Sequence, residues 1–295
     1  MSGRPEVPFE MADRRPPLPA PPAGPLIVHV VVNVEHWPFD RAMPRAVLPA
    51  PHGAAAVPDV PNFAWLEYGL RCGLPRILAL LRERGVPASV SMNASVIDAY
   101  PAAAEAIREA GWEPIGHGVE QQSLQAVADE AATIEATLER IERFFGARPR
   151  GWLGPGLQET FETPELLRRA GVEYVFDWPF DDVPVWMSTP AGPLIAMPYG
   201  LELNDSVLHA VERQPSDAIL TRLVDTLETL EPELRREPRV LTLALHPHLI
   251  GVAHRIGHLG RALETLLARP DTVFMKGGEI ADWFTSVAPP PTAAR

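Results

Sequence analysis

Apolar residues along the chain form short runs that alternate with amphipathic stretches. The run 26-LIVHVVVNV-34 is rich in β-branched side chains, which is typical of a strand buried on both faces. The clearest amphipathic stretch, residues 124–146, has one apolar face and stops at a glycine, as many helices do. This alternation of strand-like and helix-like segments predicts an α/β chain.

The segments between and beyond these two continue the alternation. We predict further strands at 87–93, 112–118, 150–154, 173–178, 239–248 and 272–277, and further helices at 66–85, 95–111, 162–171, 218–234 and 257–270. Residues 187–200 predict a hairpin that turns around Ala191-Gly192. Repeated β-α units of this length form parallel strands through right-handed crossovers. About seven such units predict a closed or nearly closed barrel.

Bulk composition narrows the class of protein. Of the 295 residues, 46% are hydrophobic and 22% are charged, which is enough apolar material for a full core. The net charge is −12 without a Lys/Arg cluster, so we expect no nucleic-acid partner. A single cysteine excludes an internal disulfide and fits a reducing compartment. Without an apolar leader or a long apolar run, we expect a cytoplasmic protein with no membrane partner.

Proline is concentrated before the first predicted helix, and the chain has 34 prolines in all. Residues 1–25 are expected to form a polyproline-like arm that is ordered only where it lies on another surface. A second proline-rich stretch, residues 38–61, interrupts the fold between its first strand and first helix. Long loops at such a place are more often functional than idle. We therefore divide the chain into an arm (1–25), a barrel (26–288) and a flexible tail (289–295).

Polar side chains collect where the predicted strands end. Glu35 and His36 follow the first strand, His117 ends the third, and His246 ends the strand at 239–248. In β/α barrels the carboxyl ends of the strands carry the functional groups. A lone histidine there is more often a hydrogen-bonded or capping residue than a catalytic one. A carboxylate directly after an apolar strand is unfavourable unless it is paired or used, and the joint occurrence therefore predicts a site.

Seven stretches in this order resemble the polysaccharide deacetylase (NodB-like) superfamily, and more closely its allantoinase-like and cyclic-imide-hydrolase-like branch. The resemblance covers roughly residues 26–288 and rests on the following stretches: 32-VNVEHW-37, 67-EYGLRCGLPRIL-78, 111-GWEPIGHGVEQQ-122, 151-GWLGPG-156, 177-DWPFDDVPVWM-187, 197-MPYGLELND-205 and 245-LHPHLIG-251. It implies a deformed (β/α) barrel of about seven parallel strands that hydrolyses C–N bonds of amides.

The resemblance also implies roles for particular residues. The base and the first metal ligand of the deacetylases match Glu35 and His36, and their two metal-binding histidines match His117 and Gln121. A late Leu-His motif, which supplies the general acid, matches His246. Glutamine is a poor zinc ligand. Two cofactor hypotheses therefore stay open. One is a divalent metal (zinc or manganese) held by His36, His117 and Gln121, or by a different coordination sphere that Glu35, His36 or Glu120 completes; the other is no metal.

We expect a hydrolase that acts on a small, cyclic amide of the imide, hydantoin or ureide type. In this hypothesis Glu35 activates water, His117 with His36 or a metal stabilises the oxyanion, and His246 protonates the departing nitrogen. The residues expected to bind substrate are Trp37, Trp186, Tyr199 and Asp205. N-deacetylation of an acetylated sugar and a catalytically silent barrel that binds ligands are the alternatives. We also expect a homo-oligomer, by analogy with the branch.

Overall fold

Nine strands form one curled sheet in the computed structural model, which describes residues 5–49 and 57–291. The strands are β1 (Leu26–Val34), β2 (Ser89–Met92), β3 (Glu113–Gly116), β4 (Gly151–Trp152), β5 (Tyr174–Val175), β6 (Val185–Thr189), β7 (Gly192–Ala196), β8 (Arg239–Leu245) and β9 (Thr272–Phe274). Their order is β6-β7-β5-β4-β3-β2-β1-β8, with β9 beside β1. Only the β6–β7 hairpin is antiparallel. The predicted barrel is confirmed as a curled half-barrel of mostly parallel strands.

Helices connect and cover these strands. They are α1 (Val60–Tyr68), α2 (Leu74–Arg84), α3 (Val96–Ala99), α4 (Pro101–Glu109), α5 (Glu130–Phe145), α6 (Thr163–Arg169), α7 (Ala218–Leu230), α8 (Ile256–Leu267) and α9 (Gly277–Val287). A π-helical turn, Gly69–Gly73, joins α1 to α2. The helix predicted at 66–85 therefore begins earlier, where the Asp59 side chain accepts a bond from the Asn62 N–H. No helix of the described residues is long and apolar enough to cross a membrane.

The two faces of β1 follow the two-residue period of a strand. Its even-numbered apolar residues, from Leu26 to Val34, pack into the cluster beneath the helices. Ile27 and Val31 face the other way, into the concave interior of the sheet. His29 shares that interior face, where its ring stacks on Phe176. Because side chains alternate in this way, residue 35 continues the interior face and residue 36 the helical one.

The amino ends of the strands are covered by α9 and the N-terminal arm. The Trp283 indole donates a hydrogen bond to the Pro19 carbonyl (3.2 Å). Near its start the arm pairs antiparallel with β6, at Glu6 and Ser188. The described part of the arm thus lies on its own barrel, while residues 1–4 of the arm, 50–56 of the proline-rich loop and 292–295 of the tail fall outside the described residues. The expected homo-oligomer stays a prediction.

Asp181 and Asp182, two turn residues near the start of β8, belong to this arm region. Arg15 of the arm forms ion pairs with Asp181 and Glu237. Asp182 lies 3.7 Å from the Arg239 guanidinium. These aspartates therefore hold the arm and the β8 start together.

The proline-rich loop after β1 crosses the carboxyl ends of the strands. It is anchored by Asn62, whose side-chain oxygen accepts the N–H groups of Val47 (2.8 Å) and Leu48 (3.1 Å). The amide of Asn62 in turn donates to the Leu48 carbonyl (3.1 Å). Since Asn62 is 2% exposed, this connection fixes the loop above the end of the barrel where functional groups are expected.

Candidate active site

Glu35 lies at the carboxyl end of β1 and is only 6% exposed. Its Oε2 accepts a 2.6 Å hydrogen bond from the indole N–H of Trp37, and its Oε1 accepts one of 3.2 Å from the amide of Gln121. The same Oε1 lies 3.6 Å from Nε2 of His246 and 4.0 Å from Nε2 of His117. The two histidines that the sequence assigns to catalysis therefore lie within 4.0 Å of the same carboxylate oxygen, which belongs to the third predicted catalytic residue, Glu35.

His246 is held by a buried carboxylate on the side away from Glu35. Its Nδ1 lies 2.6 Å from Oδ1 of Asp205, and Oδ2 of Asp205 accepts the backbone N–H groups of His246 (2.7 Å) and Ile250 (3.2 Å). A carboxylate on Nδ1 fixes the tautomer and the ring orientation. Sequence analysis assigned Asp205 to substrate binding, whereas the structure places it behind His246.

His117 is oriented by a backbone carbonyl. Its Nδ1 lies 2.5 Å from the oxygen of Leu153, so the Nδ1 proton is donated there. Burial lowers the pKa of His117, although Glu35 and the Leu153 carbonyl oppose this change. A neutral ring with its proton on Nδ1 has a free lone pair on Nε2, and that atom has no hydrogen-bond partner among the described residues. His117 therefore presents an acceptor to the space beside Glu35.

Asp177 supports the peptide unit on which His117 depends. Its two carboxylate oxygens accept the N–H of Gly154 at 2.7 and 2.9 Å, and this N–H belongs to the same peptide unit as the Leu153 carbonyl. Burial raises the pKa of Asp177, and burial together with Asp177 raises the pKa of its neighbour Glu159. Sequence reasoning placed Asp177 at a strand end without a role.

His36 lies on the other face of the strand. Its Nδ1 is 2.8 Å from the hydroxyl of Ser95, and its ring stands edge-on to Tyr100 with the centroids 5.6 Å apart. Its backbone N–H donates to Asn93 (2.9 Å). None of these contacts reaches Glu35. Because one residue of extended chain reverses the direction of a side chain, these contacts do not support the assignment of His36 as a metal ligand or oxyanion donor beside His117, which stays a prediction.

The predicted metal ligands do not fit a zinc or manganese site. Of the set His36, His117 and Gln121, only His117 offers an imidazole lone pair to the cleft, while the Gln121 amide group faces Glu35 as a donor. Across residues 5–49 and 57–291, no group of three His, Cys, Asp or Glu side chains could hold a metal ion.

A cleft of about 420 Å³ opens above Glu35. Its lining includes Trp37, Gln121, Pro155, Gly156 and four residues of the proline-rich loop, Arg41, Ala42, Pro44 and Arg45. Access to Glu35 is thus bounded by the loop that sequence analysis singled out.

Two aromatic residues expected in the pocket have other positions. Tyr199 is 1% exposed and its hydroxyl accepts a 3.0 Å bond from the Asn33 amide, so it lies below the cleft in the interior. Trp186 lies opposite Ile195 in the β6–β7 hairpin and donates to the carbonyl of Ala288 (2.9 Å). Its ring also lies 5.4 Å from that of Phe284, so Trp186 packs against α9. The substrate-binding prediction for Trp186 is therefore not supported by its contacts.

His248 is a further site residue without a role in the sequence-based hypothesis. It follows His246 by two residues, and its ring packs edge-on against Trp37 (5.5 Å) and Trp65 (4.6 Å). Burial lowers the pKa of His248 far below its ordinary value. Within the described part of the chain its Nε2 has no partner. The two-residue spacing in 246-HPH-248 was the available signal for its position beside the site.

Comparisons with known proteins agree with this fold and with the motifs. Residues 64–175 match the family model described as polysaccharide deacetylase. A curated Schizosaccharomyces pombe protein named for the polysaccharide deacetylases is 27% identical over 225 residues, which is 69% of each chain.

Solved structures extend the similarity to nearly the whole chain. The crystal structure of Puue allantoinase superposes with a TM-score of 0.83 at 24% identity, covering 94% of this chain and 96% of that one. The structure of a probable polysaccharide deacetylase from Pseudomonas aeruginosa PAO1 gives a TM-score of 0.80 at 24% identity, with the same coverage. At this level of identity the similarity establishes the fold. Residues 64–175 are therefore similar to the polysaccharide deacetylase family, as the motifs predicted, and the chain as a whole has the fold of the two solved structures.

Proposed function

We propose that the protein hydrolyses the C–N bond of a small, cyclic amide by acid-base catalysis. The observation that carries this proposal is the buried triad of Glu35, His246 and Asp205, in which Oε1 of Glu35 lies 3.6 Å from Nε2 of His246 and Asp205 binds Nδ1. A carboxylate and an imidazole that face each other at a cleft are the groups required to remove one proton and deliver another.

The first step is the attack of water on the amide carbonyl carbon. Glu35 Oε1 takes one proton of the water as its oxygen forms the new C–O bond. His117 Nε2, 4.0 Å from that oxygen, accepts a hydrogen bond from the second water proton. A water molecule about 2.8 Å from both acceptors is compatible with this separation. This is a different role from the oxyanion donor expected from the sequence, because a donor would need a proton on Nε2.

The second step is departure of the nitrogen. Protonated His246 carries a hydrogen on Nε2 and transfers it to the leaving nitrogen as the C–N bond breaks. Glu35 then holds the proton taken from water, and its transfer to His246 across 3.6 Å returns both groups to their starting states. The products are a carboxylic acid and the freed amine or amide nitrogen. No proton is created or lost in this sequence.

The dimensions of the cleft favour a compact substrate. Its volume of about 420 Å³ is within the range of small-molecule sites. The wall formed by residues 41–45 closes one side, where an extended polymer would need an open groove. A five- or six-membered cyclic amide meets both conditions.

Hydrolysis of a panel of cyclic amides tests the proposal. Succinimide, hydantoin and dihydrouracil would be incubated with the wild-type protein and with Glu35→Gln, and ring opening followed by absorbance. We expect hydrolysis of at least one ring by the wild type, in buffer containing a metal chelator, and its loss in Glu35→Gln. Failure of every ring to open would refute the proposal.

N-deacetylation of a sugar is the second candidate, favoured by the names of the Schizosaccharomyces pombe and Pseudomonas aeruginosa relatives. Acetate release from N-acetylglucosamine oligomers, without ring-amide hydrolysis, would select it. A catalytically silent, ligand-binding barrel predicts instead that Glu35→Gln leaves function unchanged. Elemental analysis of the wild type and His117→Ala, both purified without added metal, would reveal a metal that depends on His117 and so overturn the metal-free mechanism.

A further inference from the structure

Two arginines lie on the loop that follows β1, and their surroundings differ. Arg41 forms ion pairs with Glu120 (3.0 Å) and Asp40 (3.4 Å). Arg45 donates to the hydroxyl of Ser206. Among residues 5–49 and 57–291, no carboxylate oxygen lies within 4.0 Å of its guanidinium nitrogens. The charge of Arg41 is therefore neutralised by carboxylates, whereas the only polar partner of Arg45 among the described residues is the Ser206 hydroxyl.

Arg45 is placed at the catalytic end of the cleft. It lines the same cavity as Glu35, and Ser206 directly follows Asp205, the residue that binds His246. The guanidinium thus stands on the His246 side of the cleft, where the leaving nitrogen is protonated.

A guanidinium has five N–H donors in a planar fork that matches a carboxylate with two parallel hydrogen bonds. Arg45 is half-buried, so the charge is partly removed from water. One alternative is that it only offsets the negative charge of Glu35 and Asp205. In that case its removal would weaken the binding of neutral and anionic ligands to the same extent.

We infer that Arg45 binds a carboxylate of the substrate, attached on the side of the leaving nitrogen. This inference rests on the proposed function, because the leaving nitrogen is defined by the proposed reaction. It narrows the substrate class from small cyclic amides to those that carry an anionic group next to the scissile nitrogen.

Equilibrium binding to a catalytically disabled protein provides the test. N-carboxymethylsuccinimide and its neutral amide, N-carbamoylmethylsuccinimide, would be titrated calorimetrically into Glu35→Gln, alone and combined with Arg45→Ala, Arg45→Lys or Arg41→Ala. The two ligands have nearly the same size, so their affinity ratio reports the carboxylate. We expect the acid to bind at least about tenfold more tightly than the amide.

Arg45→Ala is expected to reduce this ratio to about two or less, and Arg45→Lys, which keeps the charge but loses the fork, to an intermediate value. Arg41→Ala, the matched control on the same loop, is expected to keep the full ratio. Equal affinities in the Glu35→Gln protein, an equal loss for both ligands on Arg45→Ala, or no binding of either ligand would each overturn the inference. Arg45-dependent binding together with a wild-type protein that hydrolyses no ring would uphold a carboxylate site at Arg45 and refute the proposed reaction, and with it the placement beside a leaving nitrogen.

Discussion

The two ends of the barrel each contain a buried histidine and a glutamate, and they differ in how these groups are satisfied. At the amino end, His29 Nε2 lies 2.9 Å from the Ser89 hydroxyl, which donates to Glu113 (2.9 Å). Glu113 also accepts bonds from the Tyr174 hydroxyl (2.8 Å) and the Gly278 N–H (2.9 Å). This network links the sheet to α9, and within it His29 Nδ1 has no partner among the described residues.

The carboxyl end is arranged differently. Glu35 accepts two hydrogen bonds, but His117 Nε2 and Gln121 Oε1 have no partner among the described residues and lie beside the cleft. Buried polar groups without partners are unfavourable, so their presence beside a cavity indicates a place for a reactant. The comparison teaches that the surroundings of the glutamate distinguish the two ends. Glu113 is filled by donors from the sheet and from α9, whereas Glu35 lies at a cleft and within 4.0 Å of two histidine nitrogens.

The largest effect on activity is expected from substitution of Glu35, and none of this size is expected from substitution of Glu113. Glu35→Gln removes the general base and should lower kcat/KM on the best cyclic amide by about 10²–10⁴-fold. Thermal unfolding should change little, because glutamine still offers an oxygen to the Trp37 indole. Steady-state kinetics and a melting curve measure both effects. A Glu35→Gln protein with wild-type activity would remove the distinction between the two ends.

A smaller loss is expected when the group behind His246 is changed. Asp205→Asn weakens the acceptor on Nδ1 and should lower kcat about 10–100-fold, as is typical for residues that orient a functional imidazole. KM should change less than kcat, since Asp205 is fully buried beneath the cleft. A change in KM alone would assign Asp205 to substrate binding, as the sequence suggested.

At the amino end we expect a substitution to lower the stability of the fold and to leave the activity nearly unchanged. Glu113→Ala leaves the Tyr174 hydroxyl and the Gly278 N–H without their acceptor and should lower the free energy of unfolding by about 1–3 kcal/mol. The kcat of the folded protein should stay within about twofold of the wild type. Urea unfolding and kinetics on the same preparation compare directly with Glu35→Gln. A large loss of kcat without a loss of stability would contradict the assignment of this network to the fold.

The smallest effect concerns the pH dependence of stability. Burial lowers the pKa of His29 from 6.5 to about 3, so between these values the unfolded chain binds a proton that the folded chain does not. The free energy of unfolding should therefore fall as the pH decreases through this window. His29→Gln removes the titrating group and should make the decrease less steep. Unfolding curves above and within the window measure the slope, and identical slopes would refute the contribution of His29.

Sequence analysis predicted the barrel and the convergence of Glu35, His117 and His246, because both follow from the order of β-α units and the strand-end rule. For His36 the two-residue period of β1 gives a different expectation from the motif resemblance. Continuing the alternation 27, 29, 31, 33 places residue 35 on the interior face and residue 36 on the other, in agreement with the contacts of His36 to Ser95 and Tyr100. The position of Trp186 was harder to predict, since it depends on the register of the β6–β7 hairpin rather than on a local pattern.

The contacts that orient the site could not be predicted. In the peptide unit between Leu153 and Gly154, the carbonyl accepts a hydrogen bond from His117 and the N–H donates one to Asp177. His117 and Asp177 follow different strands. Asp205 reaches His246 from a segment about forty residues earlier in the chain. Such pairings depend on how loops turn after each strand, and a single sequence carries no pattern for that turn.

The contacts of the arm and of the last helix with β6 bear on whether the chain could be circularly permuted. Glu6 pairs with Ser188, and the carbonyl of Ala288 accepts a bond from Trp186, two residues away on the same strand. The beginning and the end of the described chain are thus neighbours on β6, far from the cleft. A short peptide joining them would permit circular permutation, with new termini opened in an exposed loop between helices and the catalytic end left intact.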